Sequence, residues 1–362
     1  MSIAAGTSQD RPLLSVVVPI YNVRDYLGEC LDSLGRQRGD FEFLLVNDGS
    51  TDGSDDLARA FCEREPRARL IDKANSGYGA SLNRGFREAR GSYLGVFESD
   101  DVMYEGALSK LIDAALRFDA DLVRGSYSMY WSSPRRDELV MPYDDDLVGH
   151  LVDTTSEGRV YLYHSAIWSG IYSRELVSRM GTPFLETAGA AYQDTSFMFK
   201  AFASSKCTVF IKDPIIHYRQ DREGSSVRSK AKVDQVRVEF DEIDRWISSQ
   251  GENRGNLGHY ALVARLNACL WNLDRIAEEF QPDFVQTIAD DLTRMDREGR
   301  IDWGSLDSWR ALNARMIMKD PQAYLSLRRS TRGKSSISKV AFSLRLGGIS
   351  GLGAALKERG ER

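Results

Sequence analysis

The chain has 362 residues, 42% hydrophobic and 28% charged, with 30 Gly, 9 Pro and 4 Cys, which excludes disordered, collagen-like and disulfide-stapled classes. At roughly 100–200 residues per domain, this length predicts two units, or one enlarged α/β unit with an appendage. No run approaches the roughly 18–20 apolar residues of a membrane span, and Met1 to Arg11 lacks a signal-peptide core, so a cytoplasmic site of action is expected.

Charge is unevenly placed. The net charge is −5, yet Gln322 to Arg362 holds nine Lys/Arg against two Glu, a local +7 that leaves −12 for the rest. An acidic body with a basic tail predicts contact between that tail and an anionic surface. Basic residues are not interleaved with aromatics in a groove-like run, which argues against nucleic acid as a partner. Cys30, Cys62, Cys207 and Cys269 form no C-x-x-C pair and are read as reduced thiols.

In chain order, Leu14-Ser-Val-Val-Val-Pro-Ile20 is a β-branched apolar run, expected of a strand buried on both faces of a parallel sheet. Asp25 to Gly35 has helical spacing. Phe41 to Val46 predicts a second strand, followed by an amphipathic stretch to Glu65. Arg69–Ile71 predicts a third strand, Gly79 to Arg90 a helix, and Ser92 to Phe97 a fourth strand. Strands alternating with helices predict βαβ units and a mainly parallel sheet, with ligands at the carboxyl ends of its strands. Three polar clusters, Pro19–Asn22, Asn47–Asp52 and Glu98–Asp101, follow these strands directly. Beyond Val102 the spacing predicts a helix over Glu105–Phe118, strands at Leu122–Tyr130 and Ile167–Tyr172, a helix over Thr195–Ser204, and a strand pair at Thr208–Ile211 and Ile215–Tyr218. From Ala231 to about Lys319 only helices are expected.

Two nucleotide-binding devices are missing. No G-x-G-x-x-G follows the first strand, and Gly333-Lys-Ser335 has Arg328 where a phosphate loop needs its leading glycine. What remains is Glu98-x-Asp100-Asp101. Closely spaced carboxylates repel unless a cation lies between them, and Mg²⁺ or Mn²⁺ bridging to phosphate oxygens is the usual solution. Acids capping the helix that follows would give the same cluster.

Ser15-Val-Val-Val-Pro-Ile-Tyr-Asn22, Val46-Asn-Asp-Gly-Ser-Thr-Asp52, Asn75-Ser-Gly-Tyr-Gly79 with Asn83, and Glu98-Ser-Asp-Asp101 together resemble family 2 glycosyltransferases of the GT-A fold. The likeness continues through Trp168, Ala191-Tyr-Gln-Asp-Thr-Ser-Phe197, His217-Tyr-Arg-Gln220 and Gly224-Ser-Ser-Val227. It is strongest to bacterial enzymes that build surface polysaccharides. The fold it implies is α/β: a Rossmann-like, mainly parallel nucleotide-sugar domain over 13–230, with a disordered 1–12, a helical appendage over 231–320 and a basic, amphipathic tail over 321–362. The implied activity is inverting, metal-dependent transfer from a nucleotide-diphosphate sugar, a UDP-sugar favoured, to a saccharide or lipid-linked saccharide. A non-catalytic sugar-nucleotide binder or scaffold, and a nucleotidyltransferase, are the competing readings.

The resemblance also implies residue roles. Asp48 would accept a hydrogen bond from the base imide, since a carboxylate selects an edge presenting N–H; Asn47-Asp48-Gly49 fits an Asx turn equally. Pro19 and Tyr21 would lie along the nucleoside with Asn22 fixing their loop, and Asn75 and Asn83 would lie near base and ribose. Glu98, Ser99 and Asp100 match the D-x-D motif, with Glu in place of its first acid. Asp100 is the expected ligand of Mn²⁺ or Mg²⁺, with His217 as a further ligand or a structural residue. Asp194 is the expected base, or an N-cap of its helix. Trp168 would stack on a sugar or pack in the core, and Arg219, Gln220 and Arg222 would close over the diphosphate. Peripheral membrane contact through the tail and a homodimer through the appendage complete the expected partners.

Overall fold

Leu14–Ile20 forms β1 and Phe41–Asn47 forms β2, and every residue of both strands is buried. Such burial on both faces is what a continuous apolar run in a covered parallel sheet requires. With β3 (Ala68–Asp72) and β4 (Tyr93–Val96), they make a parallel set in the order β3-β2-β1-β4. The connecting helices are α1 (Arg24–Gly35), α2 (Ser54–Arg64) and α3 (Tyr78–Glu88). From α1, Leu27, Leu31 and Leu34 are buried at helical spacing.

The chain steps outward from β1 to β3, then returns to place β4 on the other side of β1. This reversal is where open α/β sheets hold ligands. Local chemistry widens the gap. β4 pairs with β1 only from Leu14 to Val17, and Val17 O accepts the Phe97 N–H at 3.0 Å. Pro19 lies two residues on, so its missing N–H falls on that same side, past the end of the ladder. A crevice therefore opens between Pro19–Asn22 and Glu98–Asp101.

The sheet continues with β5 (Val102–Met103), β6 (Leu122–Ser132), β7 (Arg135–Val140), β8 (Leu151–Val152), β9 (Gly170–Ser173) and β10 (Thr208–Arg219), joined by α4 (Ala107–Phe118), α5 (Arg174–Arg179) and α6 (Gln193–Ser204). Its full path is β3-β2-β1-β4-β9-β6-β10-β5, with β7 on β6 and β8 on β10. The α/β class and mainly parallel centre are as expected, while β9 enters antiparallel between β4 and β6. Two expectations are corrected. Thr208–Ile211 and Ile215–Tyr218 are one strand, its register against β6 shifted around Pro214. Of Ile167–Tyr172, the first three residues, Ile167–Ser169, form a 3-10 turn, and extended backbone begins at Gly170.

The structure, a computed structural model, describes residues 11–222, 233–251 and 255–331. The chain divides into two compact units, Met1–Gly224 and Ser225–Arg362. In the second, α7 (Gln235–Ser249), α8 (Leu257–Arg275), α9 (Gln281–Arg297), α10 (Ser308–Lys319) and α11 (Pro321–Thr331) follow one another. Its core gathers Phe240, Ile243, Leu266, Leu273, Phe284, Ile288, Leu292 and Ile317. The segment expected to start the tail at 321 instead begins as helix. Tyr324 is 0% exposed, and the Arg328 guanidinium grips Asp274 with two bonds of 2.7 Å. The expectation of a disordered 1–12 falls outside the described residues except for Arg11 and Pro12, as does the amphipathic tail beyond Thr331. No helix among the described residues is long and apolar enough to cross a membrane.

Candidate active site

The loops after β1 and β2 are tied together by small polar side chains. Asn22, at φ 47°, accepts the Thr51 N–H through Oδ1 at 2.8 Å, and its own N–H donates to Ser50 Oγ at 3.2 Å. It braces the loop, leaving Tyr21 standing out at 49% exposure. The Asx turn belongs to Asn47, whose Oδ1 takes the Ser50 N–H at 3.1 Å. Asp48 is thereby released from local bonding and turns to the loop after β3. There its buried carboxylate accepts the N–H groups of Ser76 and Gly77, each at 2.9 Å, and an ion pair from Lys73. Asn75 is exposed on that loop. Asn83 corrects its expectation: it is buried, donates to Phe184 O and Glu186 Oε1, and accepts the Phe184 N–H. With those bonds made it holds α3 to the 184–186 segment and presents nothing to a ribose.

After β4, Phe97 is buried and the chain enters Glu98-Ser-Asp-Asp101, which β5 closes by pairing with β10. Ser99 is buried within this loop. Glu98 accepts a hydrogen bond from the Tyr78 hydroxyl at the start of α3. Burial, with Asp100 and Asp194 nearby, pushes the Glu98 carboxyl up to about 8 against the pull of Tyr78. Asp101 accepts the Arg219 N–H at 2.8 Å through Oδ1, while its buried Oδ2 has no hydrogen-bond partner among the described residues. Arg219 is the second correction. Its side chain is 3% exposed, donates to Asp100 O at 2.8 Å and pairs with Glu29 at 2.5 Å. A guanidinium so engaged fixes the acidic loop from within. Arg222, 40% exposed, sits on the Asp100 carboxylate at 2.6 Å.

Asp194 lies in the first turn of α6. The N-cap is Tyr192, at φ 64° and without a side-chain bond, so Asp194 is not the cap. Gln193, which the sequence reading passed over, pins the preceding loop by accepting the Ala191 N–H at 2.6 Å and donating to Thr187 Oγ1 at 2.9 Å. That loop reaches α3 through glycines: a Cβ on Gly77, at φ 96°, would lie 2.5 Å from Thr187 O, and one on Gly79 would overlap Leu185 O. Burial pushes the Asp194 carboxyl up to about 6, opposed by the Thr195 N–H and hydroxyl and by the buried Arg124. Glu98, Asp100 and Asp194 all raise the Tyr78 and Tyr218 hydroxyls electrostatically, secondary to burial, so the three carboxylates share one neighbourhood.

His217 is stacked on Tyr104, centroids 3.7 Å apart, with Nδ1 on Asp137 at 2.7 Å and Ser128 Oγ at 3.3 Å. A cation could meet it only through Nε2, with Asp137 orienting the ring. Trp168, 7% exposed, stacks on Tyr218 at 4.9 Å and meets Tyr127 edge-on. It belongs to an aromatic wall, and the ring face toward Tyr218 is not open to a sugar. Gln220 is exposed, its backbone N–H bonded to Tyr130 O at 2.8 Å. Among the described residues, no three His, Cys, Asp or Glu side chains gather into a cation cage. The sequence reading missed Lys73 and Tyr78, although Lys73 follows a predicted strand as closely as the other polar clusters do and Tyr78 lies within the Asn75–Gly79 motif.

The α/β sheet reverses its strand order at β1/β4, and the Glu98–Asp101 loop beside that reversal feels the charge of Asp194 at the start of α6. Residues 15–172 match the family model described as glycosyl transferase family 2. The glycosyltransferase GlyG of Streptococcus pneumoniae serotype 4 is 30% identical over 223 residues, covering 60% of this chain and 74% of GlyG. The chain belongs to glycosyltransferase family 2. The uncharacterized glycosyltransferase EpsJ of Bacillus subtilis is 33% identical over 218 residues, 58% of this chain, and the match spans 62% of EpsJ. Among solved structures, Staphylococcus aureus TarS 1-349 in complex with UDP-GlcNAc shares the fold at a TM-score of 0.67 and 18% identity, over 88% of this chain and 91% of that one.

Proposed function

We propose that this chain is an inverting transferase that moves a sugar from a nucleoside-diphosphate donor, a UDP-sugar by preference, to a hydroxyl of a saccharide or lipid-linked saccharide. The observation that carries the reading is the meeting of Glu98 and Asp100, from the loop after β4, with Asp194, from the start of α6, around Tyr78 and Tyr218. Asp48 would accept a base imide N–H, and Lys73 beside it offers a donor to the adjacent carbonyl. That pairing, and the UDP-GlcNAc recorded with TarS, support uridine. Asp100 is the residue that would hold Mg²⁺ or Mn²⁺. Hard carboxylate oxygen suits such ions, and they are commonly held by one or two carboxylates completed by phosphate oxygens and water. Asp101 Oδ2, which has no hydrogen-bond partner among the described residues, adds a further oxygen to the same loop. When bound, the cation would neutralise charge on the departing diphosphate.

Asp194 would take the proton of the acceptor hydroxyl, since a neutral alcohol is a poor nucleophile. Its carboxyl, at about 6, is ionised at neutral pH yet basic enough to accept. One carboxylate facing the leaving group across the sugar implies single displacement with inversion. The acceptor oxygen bonds to the anomeric carbon as the sugar–phosphate bond breaks, and a nucleoside diphosphate leaves. The test is Asp194→Asn: UDP affinity stays within about twofold while turnover, read as UDP release, falls by about 10²–10⁴. Retained turnover overturns the assignment of the base, and pyrophosphate as product would identify a nucleotidyltransferase.

A further inference from the structure

Two arginines flank the Tyr26 ring with opposite fates. Arg219, its guanidinium carbon 5.2 Å from the ring centroid, is locked by Glu29 and the backbone of Asp100. Arg222, 5.9 Å from the same centroid, makes its ion pair through a single nitrogen on Asp100 Oδ2 and keeps 40% of its side chain in solvent. Asp100 is itself 21% exposed, so the pair lies at the mouth of the crevice. Two further carboxylates, Glu98 and Asp194, act on the same neighbourhood, and Arg222 is the cation that offsets them at Glu98. Such a group of acids draws a positive charge, and Arg222 supplies one at Asp100.

We infer that Arg222 is a resident counter-ion of the acidic loop, occupying the Asp100 oxygen that a divalent cation would take and yielding it when the donor arrives. This rests on the reading of Asp100 as the cation's residue. Arg222 and the divalent ion then compete for one oxygen. Displaced from Asp100, the guanidinium fork suits the diphosphate oxygens that enter with the ion, so one side chain opposes cation binding alone and supports cation and nucleotide together. Arg219 is held instead by Glu29 and the backbone of Asp100.

The test measures binding rather than turnover. Mn²⁺ affinity of the full chain is read by electron paramagnetic resonance without nucleotide, and UDP affinity by calorimetry at saturating Mn²⁺, for wild type, Arg222→Ala, Arg222→Gln and Asp100→Ala. Both Arg222 variants are expected to bind Mn²⁺ alone about fivefold more tightly, the size of a partly exposed ion pair. They should bind UDP about tenfold more weakly, the size of one charge-assisted phosphate contact. These opposite signs are the signature, since a structural role for Arg222 moves both affinities down or neither. Unchanged or weakened Mn²⁺ binding in both Arg222 variants, with binding lost in Asp100→Ala, overturns the inference and leaves Asp100 assigned. Full Mn²⁺ binding in Asp100→Ala overturns both.

Discussion

A carboxylate that must ionise to take a proton sits at a cost in a half-buried pocket beside other acids, and Asp194 shows that cost. Its carboxyl is raised from 3.8 to about 6, with burial the largest cause. A raised carboxyl stabilises the fold fully below its unfolded value and loses that contribution as pH rises toward the folded value. Asp194→Asn should therefore melt higher than wild type at neutral pH. The gap in Tm is expected to open between pH 3.8 and about 6, stay constant above it, and correspond to the order of 3 kcal/mol. A gap independent of pH would show that Asp194 is not strained. The residues legible in the sequence were those whose type states a chemistry, such as Asp48, Asp100 and Asp194 at the ends of predicted strands or the start of a helix. Nothing local in the sequence announces that Asn83 donates to Phe184 O, or that Arg219 donates to Glu29 and the backbone of Asp100.

Elements place these residues through close backbone approach more than through side-chain bonds. The start of α3 touches the 184–191 loop at two glycines, and this contact sets where α6 begins and so where Asp194 points. Gly79→Ala puts a methyl onto a carbonyl that has no room to retreat. We expect a loss of about 1–3 kcal/mol in urea unfolding, typical of overpacking, with kcat and UDP affinity both reduced, because Asp48 takes its N–H bonds from Ser76 and Gly77 at the same helix start. Unchanged kcat and UDP affinity beside the loss of stability would mean the contact serves stability alone. The same physics decides which elements the sequence disclosed. β1 and β2 are buried on both faces and announce themselves as apolar runs. β7, Arg135-Arg-Asp-Glu-Leu-Val140, is exposed almost throughout and carries no alternation, because its partner β6 alone defines it. Pro214 split β10 on paper, whereas in the fold a register shift absorbs it.

At the scale of the whole molecule, charge and packing divide the chain differently. The basic count begins near Gln322, which made residue 321 a natural boundary between appendage and tail. Packing runs past it. The Tyr324 hydroxyl donates to Asn313 at 2.8 Å, Arg328 holds Asp274 on α8, and Arg329 reaches Gln281 at the start of α9 at 2.7 Å. Two of the basic residues counted toward the tail are thus spent inside the helical unit, where guanidinium forks join helices distant in sequence. A chain ended at Lys319 loses α11 and opens the cavity that Tyr324 and Leu325 fill, a change at least as large as an aromatic-to-alanine core substitution, about 3–5 kcal/mol. A chain ended at Thr331 keeps every one of these contacts. Thermal unfolding followed by circular dichroism at a helix wavelength should separate the two: the longer chain melts with the full-length protein, and the shorter one melts more than about 5 °C lower. UDP affinity, which depends on the loops after β1 to β4, is expected to be the same in both. Equal melting of the two truncations would return α11 to the tail and the boundary to residue 321.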